Sequence, residues 1–176
     1  VAKGLVGQLY SAEQIQARVA ELAAAISQDY AGKEILVIGI LKGAFVFCAD
    51  LLRQISVPAQ VDFMAVSSYG QSTESSGVIK ILKDLDMTVE GRHVLLVEDI
   101  VDSGLTLKYL IQYLEHHRPA SVKVCVLLDK PERRKTDVPV EYRGFTIPDE
   151  FIVGYGIDYA ENYRHLSYIG LIGDVE

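Results

Sequence analysis

A chain of 176 residues is long enough to bury a sizeable core and is most economically one domain, with room for a small appendage. Hydrophobic residues make up 49% of it and charged residues 23%, which excludes a disordered chain or a coiled coil. The formal net charge of −7 argues against a general binder of nucleic acid or membrane surfaces, which would need clustered Lys and Arg. A phosphorylated ligand held by a few local cations is still allowed.

Ser11 followed by Gln14 reads as a capping box that opens a helix. Ile15, Val19, Leu22, Ala23 and Ile26 then share one helical face. After the Ala31-Gly32 break, EILVIGIL (Glu34–Leu41) is a short and almost wholly apolar run, as expected of a strand covered on both faces. Lys42-Gly43 stand at its end, and AFVFCADLLRQI (Ala44–Ile55) follows as a helix. VDFMAVSSY (Val61–Tyr69) reads as a strand, the polar segment Gly70–Ser76 as a mobile loop, and GVIKILKDL beyond it as another strand. HVLLVEDI (His93–Ile100) is the most strand-like segment and leads into a helix over Ser103–His117. SVKVCVLLDK (Ser121–Lys130) is a further apolar strand that ends on a charge. Beyond it, Pro and Gly punctuate short pieces that read as sheet edge plus irregular structure.

Cys48 and Cys125 each lie inside an apolar run, as reduced core residues do, and no metal-ligand spacing involves them. No signal peptide is visible before the first helix, and no apolar stretch approaches the roughly 20 residues of a membrane span, so a cytoplasmic location is expected.

Strands alternating with helices imply an α/β fold with a mainly parallel sheet. Ligands of such sheets sit beyond the carboxyl ends of the strands, near a switch point in strand order. Lys42-Gly43, Ser68-Tyr69, Glu98-Asp99 and Lys130 all fall at ends of predicted strands, so four strand ends offer polar groups to one crevice.

The turn Asp102-Ser103-Gly104-Leu105-Thr106 opens a helix, where unpaired amides and a positive dipole end suit a phosphate. An ordinary N-cap on Asp102 or Ser103 accounts for the same residues. The adjacent acids Glu98 and Asp99 fit either hydrogen bonds to a diol or a divalent cation, and a solvated strand end is the plain alternative. Lys42 and Lys130 are ordinary surface residues unless the shared strand-end position matters. The run KPERRK (Lys130–Lys135) reads as a solvated loop beyond its first residue. Neither GxxxxGK[ST] nor a GxGxxG after a strand is present, which argues against a P-loop kinase and a dinucleotide site. A phosphoacceptor receiver domain also carries strand-end acids and a lysine, but its acid pair follows its first strand, whereas Glu98-Asp99 come late in this chain.

VLLVEDIVDSGLTL (Val94–Leu107) closely resembles the phosphoribosyl-pyrophosphate (PRPP) signature of type I phosphoribosyltransferases. GILKGAFVFCADLLRQI, SSYG, LLDKPERR and FTIPDEFIVGYGIDYAENYRHLSYIG resemble, in order, the first loop, mobile loop, base-recognition strand and carboxyl-terminal hood of the hypoxanthine-guanine members, in their bacterial form. The resemblance covers nearly the whole chain. It implies the type I phosphoribosyltransferase fold: a central mainly parallel sheet flanked by helices, with a small hood from the chain termini. One domain over 1–176 would then carry a hood drawn mainly from 140–176 and part of the amino terminus.

Under that resemblance Asp102, Ser103, Gly104, Leu105 and Thr106 hold the 5-phosphate, and Asp102 also exchanges a proton with purine N7. Glu98 and Asp99 face the ribose hydroxyls and Mg2+. Lys42, Gly43 and Arg164 contact pyrophosphate, with a cis peptide between Leu41 and Lys42, and Ser68 and Tyr69 belong to a closing lid. Lys130 donates to the purine 6-oxo group, Phe151 stacks on the base, Ile152 reads its edge through the backbone, and Asp158 is a second metal-associated carboxylate beside the purine. The implied reaction joins PRPP to hypoxanthine or guanine with Mg2+ as cofactor, and the implied assembly is a homodimer or homotetramer. The rival is a PRPP-sensing regulatory protein of the same fold that binds nucleic acid. An acidic chain without a basic arm, retaining the whole base-binding set, argues against that rival.

Overall fold

The structure, a computed structural model, describes residues 2–67 and 79–176. Its elements are β1 (Ala2–Tyr10), α1 (Ala12–Asp29), β2 (Ile35–Leu41), α2 (Phe45–Gln54), β3 (Ala59–Val66), β4 (Ile81–Lys83), β5 (His93–Val101), α3 (Leu105–Glu115), β6 (Ser121–Asp129), β7 (Tyr142–Thr146), β8 (Ile152–Val153) and β9 (Ile169–Val175).

The capping box forms as expected. The Ser11 side chain accepts from the Gln14 amide while the Gln14 side chain accepts from the Ser11 amide. The apolar stripe Ile15, Val19, Leu22, Ala23 and Ile26 is the buried face of α1. The β2 run is apolar throughout because both its faces are covered: Ile35 and Val37 join a core beneath α1 and α2, while Leu36, Ile38 and Ile40 join a second core beneath α3.

The main sheet has six strands in the order β4-β3-β2-β5-β6-β7. All neighbours run parallel except β4, which is antiparallel to β3. From β2 the chain winds outward to β3 and β4 on one side, then returns to β5 and winds outward to β6 and β7 on the other. The order therefore reverses between β2 and β5, and the carboxyl ends of those two strands flank the switch point, where such sheets open a crevice.

Three differences from the sequence reading have physical causes. The amino-terminal segment, given no strand, pairs as β1 with β9 in a separate three-stranded sheet, order β1-β9-β8. Only Gly4 of β1 is fully buried, so no alternation announces it. The strand read in GVIKILKDL is limited to three residues, and its register with β3 shifts between Ala65 and Val66. The last third is more regular than expected, because β7 is the edge of the main sheet while β8 and β9 meet β1.

Candidate active site

A cleft of about 490 Å3 opens at the switch point, bordered by Lys42, Gly43, Asp99, Asp158, Glu161 and Arg164. The Leu41–Lys42 peptide at the end of β2 is cis. Gly43 is required by its neighbour rather than by its own backbone: a Cβ there would stand 2.0 Å from Oδ2 of Asp99. The β2 loop and the end of β5 are thus in direct contact across the reversal of strand order.

Both cations of this cleft are already engaged. Lys42 Nζ donates to Glu161 Oε2 at 3.2 Å, and Arg164 Nη2 donates to Glu161 Oε1 at 3.1 Å. Arg164 also lies 3.4 Å from Asp158 Oδ1 and donates through Nη1 to the Gly156 carbonyl at 2.8 Å. Hydrogen bonds from Arg164 first and Lys42 second hold the Glu161 carboxyl below its ordinary range. Among the described residues Arg164 Nε is buried without a hydrogen-bond partner, a costly state for a charged donor. Glu161 itself is oriented by the turn it sits in, since Asp158 Oδ2 accepts from its amide at 2.8 Å.

Glu98 and Asp99 divide between two places. Asp99 borders the large cleft, whereas Glu98, only 8% exposed, borders a smaller one of about 100 Å3 against the turn at 102–106. Burial, and then the charge of Asp99, pushes the Glu98 carboxyl well above the usual range. Burial also raises Asp99, which the Ile100 amide partly offsets by donating at 2.8 Å.

The small cleft is bordered by Asp102, Ser103, Gly104 and Thr106. The first helical bond of α3 is Lys108 N–H to the Gly104 carbonyl at 2.9 Å, so the amides of Leu105, Thr106 and Leu107 have no partner within the helix. Ser103 Oγ accepts from Leu105 N–H at 3.3 Å. The cap reading and the anion reading therefore coexist, with one amide capped and others free of helical bonds. Gly104 has φ of +84°, and a Cβ there would stand 2.9 Å from the Thr136 carbonyl oxygen. The turn is tight because the chain after β6 lies against it.

On the third side, Lys130 follows β6 and is 8% exposed. Its amide donates to the Val101 carbonyl at 3.0 Å, and its Nζ lies 3.8 Å from Asp149 Oδ1. Ile152 is buried, while the adjacent Phe151 ring is 69% exposed. An aromatic ring so open offers a flat apolar face, and it follows two residues after Asp149, the acid that approaches the Lys130 ammonium.

The structure thus gathers Lys42, Gly43, Asp99, Asp158 and Arg164 at one cleft and Glu98 with residues 102–106 at the next. Lys130, Phe151 and Ile152 form a third group. Ser68 and Tyr69 lie outside the described residues. The reading of KPERRK as a solvated loop beyond its first residue holds for Pro131, Glu132, Arg133 and Lys135, which are exposed, and fails at Arg134, whose side chain is 19% exposed. Arg134 donates to the buried Asp129 carboxylate at 2.7 Å and to the Asp102 carbonyl at 3.2 Å, while Arg133 Nε donates to Asp102 Oδ1 at 3.0 Å. Glu161, Arg133, Arg134 and Asp149 were missed, because each is a charged loop residue whose partners are distant in sequence or lie around a turn. The one available signal was an excess of acids and bases, alternating in sign, around residues already singled out.

A crevice at a parallel-sheet switch point, with a lysine–arginine pair at one cleft and a helix-opening turn at the next, is an arrangement that suits a ligand with anionic groups. Comparison with known proteins places the chain within a family. The model of the phosphoribosyl transferase domain matches residues 6–160. The hypoxanthine-guanine phosphoribosyltransferase of Mycobacterium avium is 55% identical over 170 residues, covering 93% of this chain and 84% of the relative. That of Bacillus subtilis is 52% identical over 164 residues, covering 93% and 91%. A crystal structure of a Bacillus anthracis hypoxanthine-guanine phosphoribosyltransferase, with HEPES in its active site, superposes with a TM-score of 0.92 at 51% identity, covering 98% of this chain and all of that one. The chain belongs to the phosphoribosyltransferase family and has the type I fold of that family.

Proposed function

We propose that this protein transfers the 5-phosphoribosyl group from PRPP to N9 of hypoxanthine or guanine, releasing pyrophosphate, a purine-salvage reaction. The observation that carries the reading is the arrangement of three groups around one switch point: an amide-rich turn, the Lys42–Arg164 cation pair, and a nearly buried Lys130 whose partner Asp149 lies two residues before the open Phe151 ring. Those are the needs of a sugar 5-phosphate, a pyrophosphate and a 6-oxopurine.

In this reading residues 102–106 take the 5-phosphate on backbone amides and hydroxyls. Lys42 and Arg164 take the pyrophosphate and stabilise the charge it gains as its bond to C1 of the ribose breaks. Glu98 and Asp99 face the ribose hydroxyls. Phe151 stacks on the base, the Ile152 backbone meets its edge, and Asp158 lies between base and pyrophosphate. Asp102, as general acid/base, exchanges a proton with N7 while N9 attacks, a kind of transfer typically worth about 10²–10⁴-fold. Closure of the segment bearing Ser68 and Tyr69 would exclude water.

Asp99 and Asp158 bring hard oxygen donors to the same cleft, which suits Mg2+. Among the described residues no cluster of three or more ligating groups could hold a metal unaided. Mg2+ is commonly bound by one or two carboxylates together with substrate phosphates, so this donor set fits it. Asp99 and Asp158, with Glu98 behind them, would hold the ion, which when bound supplies charge compensation to the diphosphate.

Lys130 sets the choice of base. A donor aimed at a 6-oxo group meets no acceptor on adenine, and sites built on such a bond reject analogues that lack it. A homodimer or homotetramer completes the reading, to be measured by light scattering. Among the described residues no helix is long and apolar enough to cross a membrane.

The deciding experiment supplies PRPP and Mg2+ with hypoxanthine, guanine, xanthine or adenine and follows nucleotide formation. Rapid turnover of the 6-oxopurines with little from adenine is expected. Measurable PRPP binding with no turnover on any base would overturn the enzymatic reading in favour of a regulatory one.

A further inference from the structure

Pro131–Arg133 form a single 3-10 turn directly after Lys130, closed by the Arg133 amide donating to the Lys130 carbonyl at 3.1 Å. The turn brings Arg133 back towards Lys130, since both side chains reach the same acid, Asp149. There it meets two carboxylates from different parts of the chain. Its Nε donates to Asp102 Oδ1 at 3.0 Å, and its Nη1 lies 3.5 Å from Asp149 Oδ2. Asp149 in turn approaches Lys130 Nζ at 3.8 Å through Oδ1. The four charges alternate in sign along one line: Lys130, Asp149, Arg133, Asp102.

The two ends of that line are the residues to which the proposed function gives O6 and N7 of the base. On a 6-oxopurine those atoms are neighbours on one edge of the ring, so the groups that read them must also be held side by side. Arg133 supplies that coupling. By taking Oδ1 of Asp102 it leaves the second oxygen of the carboxylate to face N7. By taking one oxygen of Asp149 it orients the acid that flanks the Lys130 ammonium. A planar guanidinium with its donors in a rigid fork can hold two carboxylates in fixed relation, whereas a point-charge ammonium cannot.

We propose that Arg133 is a positioning residue for base recognition and proton transfer, acting through Asp102 and Asp149 so that the O6/N7 edge of the purine is read as one unit. This rests on the phosphoribosyl-transfer reading and deepens it. Arg133 does not touch PRPP in this scheme, so its loss acts on the base and on turnover. Both its contacts are open to solvent and pairs of that kind add little stability, so Arg133→Gln is expected to fold with a Tm near that of the wild type.

The test compares wild type, Arg133→Gln and Arg133→Lys in steady-state kinetics with hypoxanthine. It adds inhibition by 7-deazahypoxanthine, a base whose N7 is replaced by carbon. Arg133→Gln should lose roughly ten- to a hundred-fold in kcat, the scale of a misplaced catalytic group, while KM for PRPP stays within about two-fold. Its preference for hypoxanthine over the 7-deaza compound should narrow, because the discriminating contact at N7 is no longer held. Arg133→Lys should recover part of kcat and little of the discrimination. An unchanged kcat in Arg133→Gln overturns the inference, as does a fall in kcat with unchanged 7-deaza discrimination. Should the glutamine variant misfold, the discrimination shown by the lysine variant decides in the same way. Wild-type turnover measured alongside separates the two levels: an active wild type matched by its variants sinks this inference alone, whereas an inactive wild type sinks the reading beneath it.

Discussion

The two ends of the crevice to which the proposed function gives anionic groups are built on different principles. The turn at 102–106 is one contiguous stretch, and its attraction for an anion comes from helix-end amides that carry no net charge. The opposite end uses side-chain cations delivered by separate elements, Lys42 after β2 and Arg164 after β8, and both are bound to the single carboxylate of Glu161. Amides of neutral dipoles can wait unpaired at a partly open surface. Two cations brought together repel each other and attract the nearest acid, so their site comes with an internal counter-ion that a ligand must displace. The first end is preorganised by backbone geometry, the second by charge balance.

Four substitutions probe that contrast, the largest effect first. Asp102→Asn keeps the amide turn but removes the proton acceptor, so kcat should fall by about 10²–10⁴-fold with PRPP binding, read by titration calorimetry, largely retained. Near-normal turnover would mean that the turn serves binding alone. Gly104→Ala attacks the backbone end. Leaving φ at +84° with a Cβ costs about 1–2 kcal/mol, or a Tm lower by about 2–8 °C for a domain of this size, and KM for PRPP should rise as the turn shifts. A variant as stable as wild type would show the turn to be less constrained than its fit against Thr136 implies.

Glu161→Gln attacks the charge-balanced end. With Glu161 neutral, Lys42 loses its counter-ion and Arg164 keeps only Asp158, so the pair should bind pyrophosphate a few-fold more tightly, with the gain shrinking at high salt because the Lys42–Glu161 contact is solvent-exposed. Weaker pyrophosphate binding would instead make Glu161 a scaffold for the cations. Tyr113→Phe lies away from both ends and is the smallest change. The Tyr113 hydroxyl donates to Asp84 at 2.6 Å, and that bond is the main cause of a lowered Asp84 pKa. A folded-state value below the unfolded one adds stability above the ordinary carboxylate range and loses it as pH falls through the folded value. The variant should therefore be slightly less stable than wild type at neutral pH, with the difference closing in urea titrations as pH falls below the ordinary carboxylate range. A difference that persisted in acid would implicate packing rather than the ion.

Much of the molecule was readable along the chain because its determinants are local. The Ser11–Gln14 box, the α1 stripe and the doubly covered β2 run each depend on side chains within a few residues of one another, and each appears as expected. The turn at 102–106 is local in the same way, since its glycine and helix-opening amides are consecutive. The unread parts depend on partners far along the chain. β1 becomes a strand only because β9 reaches it. The ion pairs of Arg133 could not be read because Asp102 and Asp149 come to it only once β5 and the segment before β8 are in place.

The sequence by itself determined the α/β alternation, the placing of Lys42 and Lys130 just after strands and, through its resemblance, the phosphoribosyltransferase family. Only the tertiary structure decided which charges meet: Glu161 between Lys42 and Arg164, Arg133 between Asp102 and Asp149, and Asp99 against Gly43. The reason is physical. Periodicity and capping are short-range properties written in neighbouring residues, whereas an ion pair forms between any two opposite charges that the fold leaves within a few ångströms, and that choice exists only after the strands have found their order.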